Sequence, residues 1–130
     1  VVDDNPQYTS LLRRILGVGL GYANIVTCES LDEAFALYDN DDPQFALIFV
    51  DYNFPEGRTG AEFLRFLDGR GISKECAVFL ITAEPTIENQ QEALKAGACG
   101  VVVKPFDRVV LKKQLEKAQQ LLDVENIESF

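Results

Sequence analysis

Phe45-Ala46-Leu47-Ile48-Phe49-Val50-Asp51 decides the fold: six apolar residues in a row, then a carboxylate. A run this short and uniform suits a strand buried on both faces of a parallel sheet, because helices packed above and below leave neither face to water. The same punctuation recurs along the chain. Asp3-Asp4 follow Val1-Val2, Thr82 follows Ala77-Val78-Phe79-Leu80-Ile81, and Lys104 follows Val101-Val102-Val103. In an open parallel sheet the ligand crevice lies outside the carboxyl ends of the strands. Three acids, a hydroxyl and an amine are therefore expected at one edge, a site for a metal ion and a phosphoryl group.

Segments with helical periodicity separate these runs. Tyr8, Leu11, Leu12, Ile15 and Leu16 recur at helical spacing, as do Leu31, Ala34, Phe35 and Tyr38, then Gly60, Phe63, Leu64 and Leu67, then Leu111, Leu115, Ala118 and Leu122. Asn5 before Pro6 reads as a helix start, and Ser30 with Glu33 and Thr59 with Glu62 have capping-box spacing. Gly69 and Gly97 read as helix stops.

The expected order is a strand at Val1-Val2, then helix 6–17, strand 24–28, helix 31–40, strand 45–50, helix 60–68, strand 77–82, helix 86–96, strand 100–103 and helix 107–122. Strict alternation with short connections means a parallel sheet flanked by helices, and five strands are too few for an eight-stranded barrel. An open, doubly wound α/β sandwich with a five-stranded parallel sheet is the fold expected. Residues 1–122 form its one domain, with a first strand that looks truncated at the N-terminus. Residues 123–130 read as a C-terminal tail or the start of a linker.

Composition narrows the function classes. Twelve basic against 21 acidic residues give a formal charge of −9, which disfavours direct nucleic-acid or membrane-surface binding. Three cysteines without a CxxC spacing, Cys28, Cys76 and Cys99, read as reduced thiols. No apolar stretch reaches membrane-spanning length, and a cytoplasmic location is expected.

The chemistry follows from the strand ends. Phosphoryl transfer depends on positioning and on neutralising charge, so a carboxylate acceptor needs a divalent cation, an amine and hydrogen-bond donors around it. Asp4 and Asp51, supported by Asp3, suit Mg²⁺, which takes one or two carboxylates plus water and phosphate oxygens. Lys104 is a point charge for a phosphoryl oxygen, and Thr82 supplies a hydroxyl. Singly, each has a duller reading as a turn former, a local backbone partner or a solvated charge. Their joint placement at the ends of separate strands carries the functional one.

Val2-Asp3-Asp4-Asn5, Phe49-Val50-Asp51 with Pro55, Leu80-Ile81-Thr82-Ala83, Ala93-Leu94-Lys95-Ala96-Gly97-Ala98 and Val103-Lys104-Pro105-Phe106 together resemble the receiver domain of two-component response regulators, of the chemotaxis-regulator kind. The resemblance spans essentially the whole chain. It implies a flavodoxin-like sheet of order 2-1-3-4-5 and a phosphorelay role: Asp51 as phosphoacceptor, and Mg²⁺ held by Asp4 and Asp51, by the Asn53 backbone carbonyl, and with support from Asp3. Thr82 and Lys104 would hold the phosphoryl group. Implied partners are a sensor histidine kinase or histidine phosphotransfer protein and a downstream output domain or protein, with a homodimer through residues 86–122 compatible. The chain has no histidine, so the donor imidazole comes from elsewhere. Such a domain is regulatory rather than a metabolic enzyme, though it catalyses its own phosphorylation and dephosphorylation. The resemblance also implies a cis Lys104-Pro105 bond, and Asn53 and Glu84 beside the path of attacking water.

Two departures stand out. Val101 occupies the position three before Lys104 where receivers often carry an aromatic, and a β-branched side chain cannot signal by an inward-outward ring flip. Gly60 falls nine residues after Asp51, one more than the usual spacing, with Arg58 in the lengthened loop. Two other functions compete: a receiver-like interaction module without phosphorylation, and a flavodoxin-like cofactor carrier. The carrier would need a glycine- and hydroxyl-rich phosphate loop where Asp3-Asp4 stand.

Overall fold

The computed structural model describes the backbone of residues 1–128 and the side chains through Ala118. Among the described residues three parallel strands form the sheet: β1 (Leu47–Asp51), β2 (Ala77–Thr82) and β3 (Gly100–Val103), with β2 in the centre. The register pairs Phe49 with Phe79, Asp51 with Ile81, and Thr82 with Val103. Side chains alternate between faces, so two cores result. Ile48, Val50, Val78 and Leu80 pack with Leu31, Ala34, Phe63, Leu64 and Ala93. Phe49, Ala77, Phe79, Ile81 and Val102 pack with Leu12, Ile15, Leu16 and Leu111 on the other side. The rings of Phe49 and Phe79 stack at 5.2 Å between centroids, and each fully buried phenylalanine stabilises by about 1.5–3 kcal/mol.

The helices are α1 (Pro6–Arg14), α2 (Leu31–Ala36), α3 (Ala61–Gly69), α4 (Ile87–Lys95) and α5 (Arg108–Glu128). Helices α1 and α5 cover one face, and α2, α3 and α4 the other. This is the expected doubly wound arrangement of a parallel α/β sheet.

The first two expected strands are corrected. Val1-Val2 and residues 24–28 do not form extended strands among the described residues; they contribute parallel bridges of Val2 to Cys28 and of Val2 to Val50. Val2 N–H donates to Phe49 O at 2.8 Å and Asp51 N–H to Val2 O at 2.8 Å, while Cys28 N–H donates to Val1 O at 2.8 Å and Asp3 N–H to Cys28 O at 3.0 Å. A ladder needs consecutive pairs, and among the described residues Val2 alone is bridged on each side. The bonds still suspend Asp3 beside the end of β1.

Several boundaries also shift. Helix α1 passes into a wider turn at Ile15–Gly19, where Gly17 and Gly19 weaken the helical preference. Helix α2 stops at Ala36, four residues before the expected end, ahead of Asp39, Asp41 and Asp42, whose charges oppose the negative end of a helix dipole. Helix α5 extends beyond residue 122 to Glu128; the expected tail therefore begins as helix, Ser129 and Phe130 lie outside the described residues, and so does the side chain of Leu122.

The caps divide similarly. Asn5 Oδ1 accepts from Gln7 N–H with Pro6 opening the helix, and Ser30 Oγ accepts from Glu33 N–H at 3.1 Å. The Thr59/Glu62 box does not form: Gly60 occupies the cap of α3, and the Glu62 carboxylate turns to Arg58. Gly97 holds the left-handed φ of 90° expected after a helix, whereas past α3 that role falls to Gly71 at φ 75°.

Candidate functional site

Asp3, Asp4, Asp51 and Lys104 come from three chain segments that end at one edge of the sheet. Asp3 is fully buried and Asp51 is 6% exposed, while Asp4 faces solvent. Carboxylate oxygens of the three acids lie within 4.8 Å of one another. Three anions this close repel, and Lys104 is their counterion. Its Nζ stands 2.9 Å from Asp3 Oδ2 and 3.2 Å from Asp51 Oδ1, with only 10% of the side chain exposed.

Burial pushes the Asp51 carboxyl up to about 6, with the neighbouring Asp3 adding to the shift and Lys104 opposing it. For Lys104, burial pulls the ammonium down, but contact with Asp3 and the charge of Asp51 outweigh it, and the net direction is up. Lys104 therefore stays cationic at neutral pH. Asp3 Oδ1 accepts from Asn5 N–H at 2.9 Å, which fixes the carboxylate. Its Oδ2 is buried with no aligned hydrogen-bond donor, so the short approach of Lys104 is an ion pair. A buried, underpaired oxygen beside two more carboxylates suits a small hard cation, and the donor set is oxygen alone.

Thr82 ends β2 fully buried. Its hydroxyl donates to Glu84 O at 3.2 Å and accepts from Glu84 N–H at 3.0 Å, so its described side-chain partners are local backbone. The backbone nevertheless locks it to the site: Lys104 N–H donates to Thr82 O at 2.8 Å, and Tyr52 N–H donates to Ile81 O at 2.8 Å. The Lys104-Pro105 peptide is cis, as expected.

Asn53 is exposed and pairs with Thr59 across a small antiparallel hairpin, and Glu84 is exposed on the loop after β2. The hairpin explains the lengthened loop. Phe54 N–H donates to Arg58 O at 3.0 Å, and the turn between them carries Glu56 at φ 66° and Gly57 at φ 73°. Consecutive left-handed residues are what a tight hairpin turn requires. Arg58 then ties the hairpin to α2 through Asp32 at 2.8 Å. Gly60, despite the extra residue, is held against the site: a Cβ there would fall 2.0 Å from Asp51 O.

The sequence did not reveal two neighbours of the site. The Tyr8 ring lies under the Lys104 ammonium, 4.1 Å from centroid to Nζ. Tyr52 Oη donates to Glu92 Oε2 on α4 at 3.1 Å, and Arg65 on α3 bonds the other oxygen of Glu92 at 3.0 Å. Tyr8 read only as one residue of an apolar stripe, and nothing in its spacing points to Lys104. Val101 is partly buried against the core on the α2, α3 and α4 side.

Comparison with known proteins agrees with this geometry. Residues 1–116 match the response regulator receiver domain. The chain is 35% identical over 117 residues to the chemotaxis protein CheY of Pseudomonas aeruginosa, covering 90% of this chain and 91% of that protein. It is 33% identical over 117 residues to CheY-3 of Vibrio cholerae, covering 90% of this chain and 87% of that one. The solved structure of Vibrio cholerae chemotaxis protein CheY4 superposes with a TM-score of 0.77 at 30% identity, covering 90% and 93% of the two chains.

Proposed function

The chain belongs to the response regulator receiver domain family, and on that premise we propose that it is a phosphorelay switch whose phosphoacceptor is Asp51. The observation that carries the reading is the Asp51 carboxylate at the end of β1, with the Lys104 ammonium 3.2 Å away and oxygens of Asp3 and Asp4 within 4.8 Å. A carboxylate oxygen of Asp51 attacks phosphorus of a phosphohistidine on a sensor kinase or phosphotransfer protein. The O–P bond forms as the P–N bond breaks, and the imidazole leaves with the electron pair. Lys104 pairs with an oxygen of the transferred group, and Thr82 turns its hydroxyl from Glu84 to donate to another.

Asp3, Asp4, Asp51 and the Asn53 carbonyl are the groups that hold Mg²⁺ in this reading; the ion, when bound, neutralises charge on the transferring group. The buried Oδ2 of Asp3 and the all-oxygen donor set support that assignment. Asn53 and Glu84, each two residues beyond a site residue, flank the water that later hydrolyses the acyl phosphate, and polar side chains there favour quick resetting. The domain thus catalyses its own phosphorylation and dephosphorylation while serving a regulatory role.

Residues 1–122 constitute the domain, and the bridges at Val2 support a strand order of 2-1-3-4-5 with two very short members. Output leaves through α4, β3 and α5, whose surface meets a downstream partner in the cytoplasm or a second copy. The light anchoring of α4, in which Ala93 is the buried residue, supports a helix that shifts at low cost. With Val101 in place of an aromatic, the shift does not depend on a ring flip.

Beryllofluoride, which mimics a phosphoryl group on a carboxylate, tests the reading. Titration in Mg²⁺, followed by calorimetry or ¹⁹F NMR, is expected to give one site that is lost in Asp51→Asn and without Mg²⁺. Binding that survives either change contradicts the assignment.

A further inference from the structure

The Lys104 ammonium has a third neighbour besides its two carboxylates. The Tyr8 ring face lies 4.1 Å from Nζ, and the same ring packs against Phe106 at 5.7 Å between centroids. Phe106 is buried, and it follows Lys104 by two residues, so one aromatic surface touches both the ammonium and the segment that carries it. Tyr8 itself is half-buried in the first turn of α1, where its N–H donates to Asn5 O at 3.1 Å. That turn is anchored by the Asn5 cap directly after Asp3 and Asp4. The ring is thus fixed to the same short stretch of chain as the acids.

From this contact we propose that Tyr8 is a positioning residue for phosphoryl transfer: its ring face holds the Lys104 ammonium in place for the phosphoryl oxygen. The inference rests on the assignment of Asp51 and Lys104 made above. Its physical basis is the difference between a ring and a carboxylate as a partner. Asp3 and Asp51 hold Lys104 by neutralising it, and a carboxylate that takes up a metal ion or a phosphoryl group has less negative charge left for the ammonium. The quadrupole of a ring attracts the cation without cancelling its charge. Tyr8 therefore supports Lys104 in the loaded site, where the carboxylates are otherwise engaged. With only 10% of the Lys104 side chain exposed, the contact lies toward the stronger end of such interactions.

A comparison of three side chains isolates the effect. Tyr8→Phe keeps the ring face, while Tyr8→Leu keeps apolar bulk and removes the quadrupole. Beryllofluoride affinity in saturating Mg²⁺ is expected to stay within about twofold of wild type for Tyr8→Phe and to fall roughly three- to thirtyfold for Tyr8→Leu. Mg²⁺ affinity alone is expected to be unchanged in both. In a Lys104→Ala background, Tyr8→Leu is expected to cost nothing further. Equal affinity for wild type and Tyr8→Leu overturns the inference, as does a Tyr8→Phe loss matching that of Tyr8→Leu, or a Tyr8→Leu loss that persists without Lys104. Those results leave the Asp51 reading intact. A wild-type protein that binds no beryllofluoride overturns both.

Discussion

Asp51→Asn should stabilise the metal-free protein, by an amount that depends on pH in a defined direction. In the folded chain burial and Asp3 raise the Asp51 carboxyl from 3.8 to about 6. Below about pH 4 the group is protonated folded or unfolded, and it contributes no difference. Between about pH 4 and 6 the unfolded chain releases the proton while the folded chain keeps it, so stability falls as pH rises through this window. Above about 6 the folded protein carries a buried charge, at a cost of up to about 3 kcal/mol, since each tenfold change in proton affinity is worth about 1.4 kcal/mol.

Asparagine has nearly the same shape, keeps the backbone bond from residue 51 N–H to Val2 O, and carries no charge. The value of about 6 already includes the attraction of Lys104, so the opposing cost is the asparagine amide, a new donor beside the Lys104 ammonium whose unpaired N–H groups take back about 1 kcal/mol or more. The net expectation is about 1–2 kcal/mol of stabilisation at pH 7.5, or about 4–8 °C in Tm for a chain of this size. Urea and thermal unfolding in the presence of a chelator, followed by circular dichroism at pH 4 and 7.5, measure it. A variant less stable than wild type at pH 7.5, or a difference that does not grow between the two pH values, refutes the reasoning.

Gly60→Ala places a methyl group 2.0 Å from Asp51 O and 2.8 Å from Val50 Cγ1, and neither backbone can retreat without breaking the bond from Gly60 N–H to Tyr52 O; a loss of about 2–4 kcal/mol is expected from urea melts, with weakened beryllofluoride binding. Ser30→Ala removes the acceptor for Glu33 N–H and should cost about 1 kcal/mol while leaving Mg²⁺ affinity unchanged. Asp4→Asn changes an exposed carboxylate, so stability should move by less than about 0.5 kcal/mol, whereas calorimetry should show Mg²⁺ binding weakened about tenfold or more.

The strands β1, β2 and β3 were legible because a strand buried on both faces leaves an unbroken apolar run in the sequence, and the residue that ends it is conspicuous. Asp3-Asp4, Asp51, Thr82 and Lys104 were picked out that way as candidate site residues. The second strand was read too long because Ile25-Val26 have strand character, yet among the described residues Cys28 alone of that run is bridged, to Val2. Local signals failed where a competing partner prevailed. Glu62 has capping spacing from Thr59 but is drawn to Arg58, a residue of the very loop whose extra length the sequence did show. The contacts of Tyr8 with Lys104 and of Tyr52 with Glu92 join residues far apart in the chain. Their side-chain directions depend on how α1 and α4 seat on the sheet, which periodicity does not encode.

Chemical location of the phosphoryl group tests the central claim most directly. After incubation with acetyl phosphate and Mg²⁺, reduction with borohydride converts a phosphorylated aspartate to homoserine, which peptide mass spectrometry locates. The expected result is homoserine at position 51, absent when Mg²⁺ is withheld. Homoserine at another aspartate, or none in a protein that remains folded, contradicts the account.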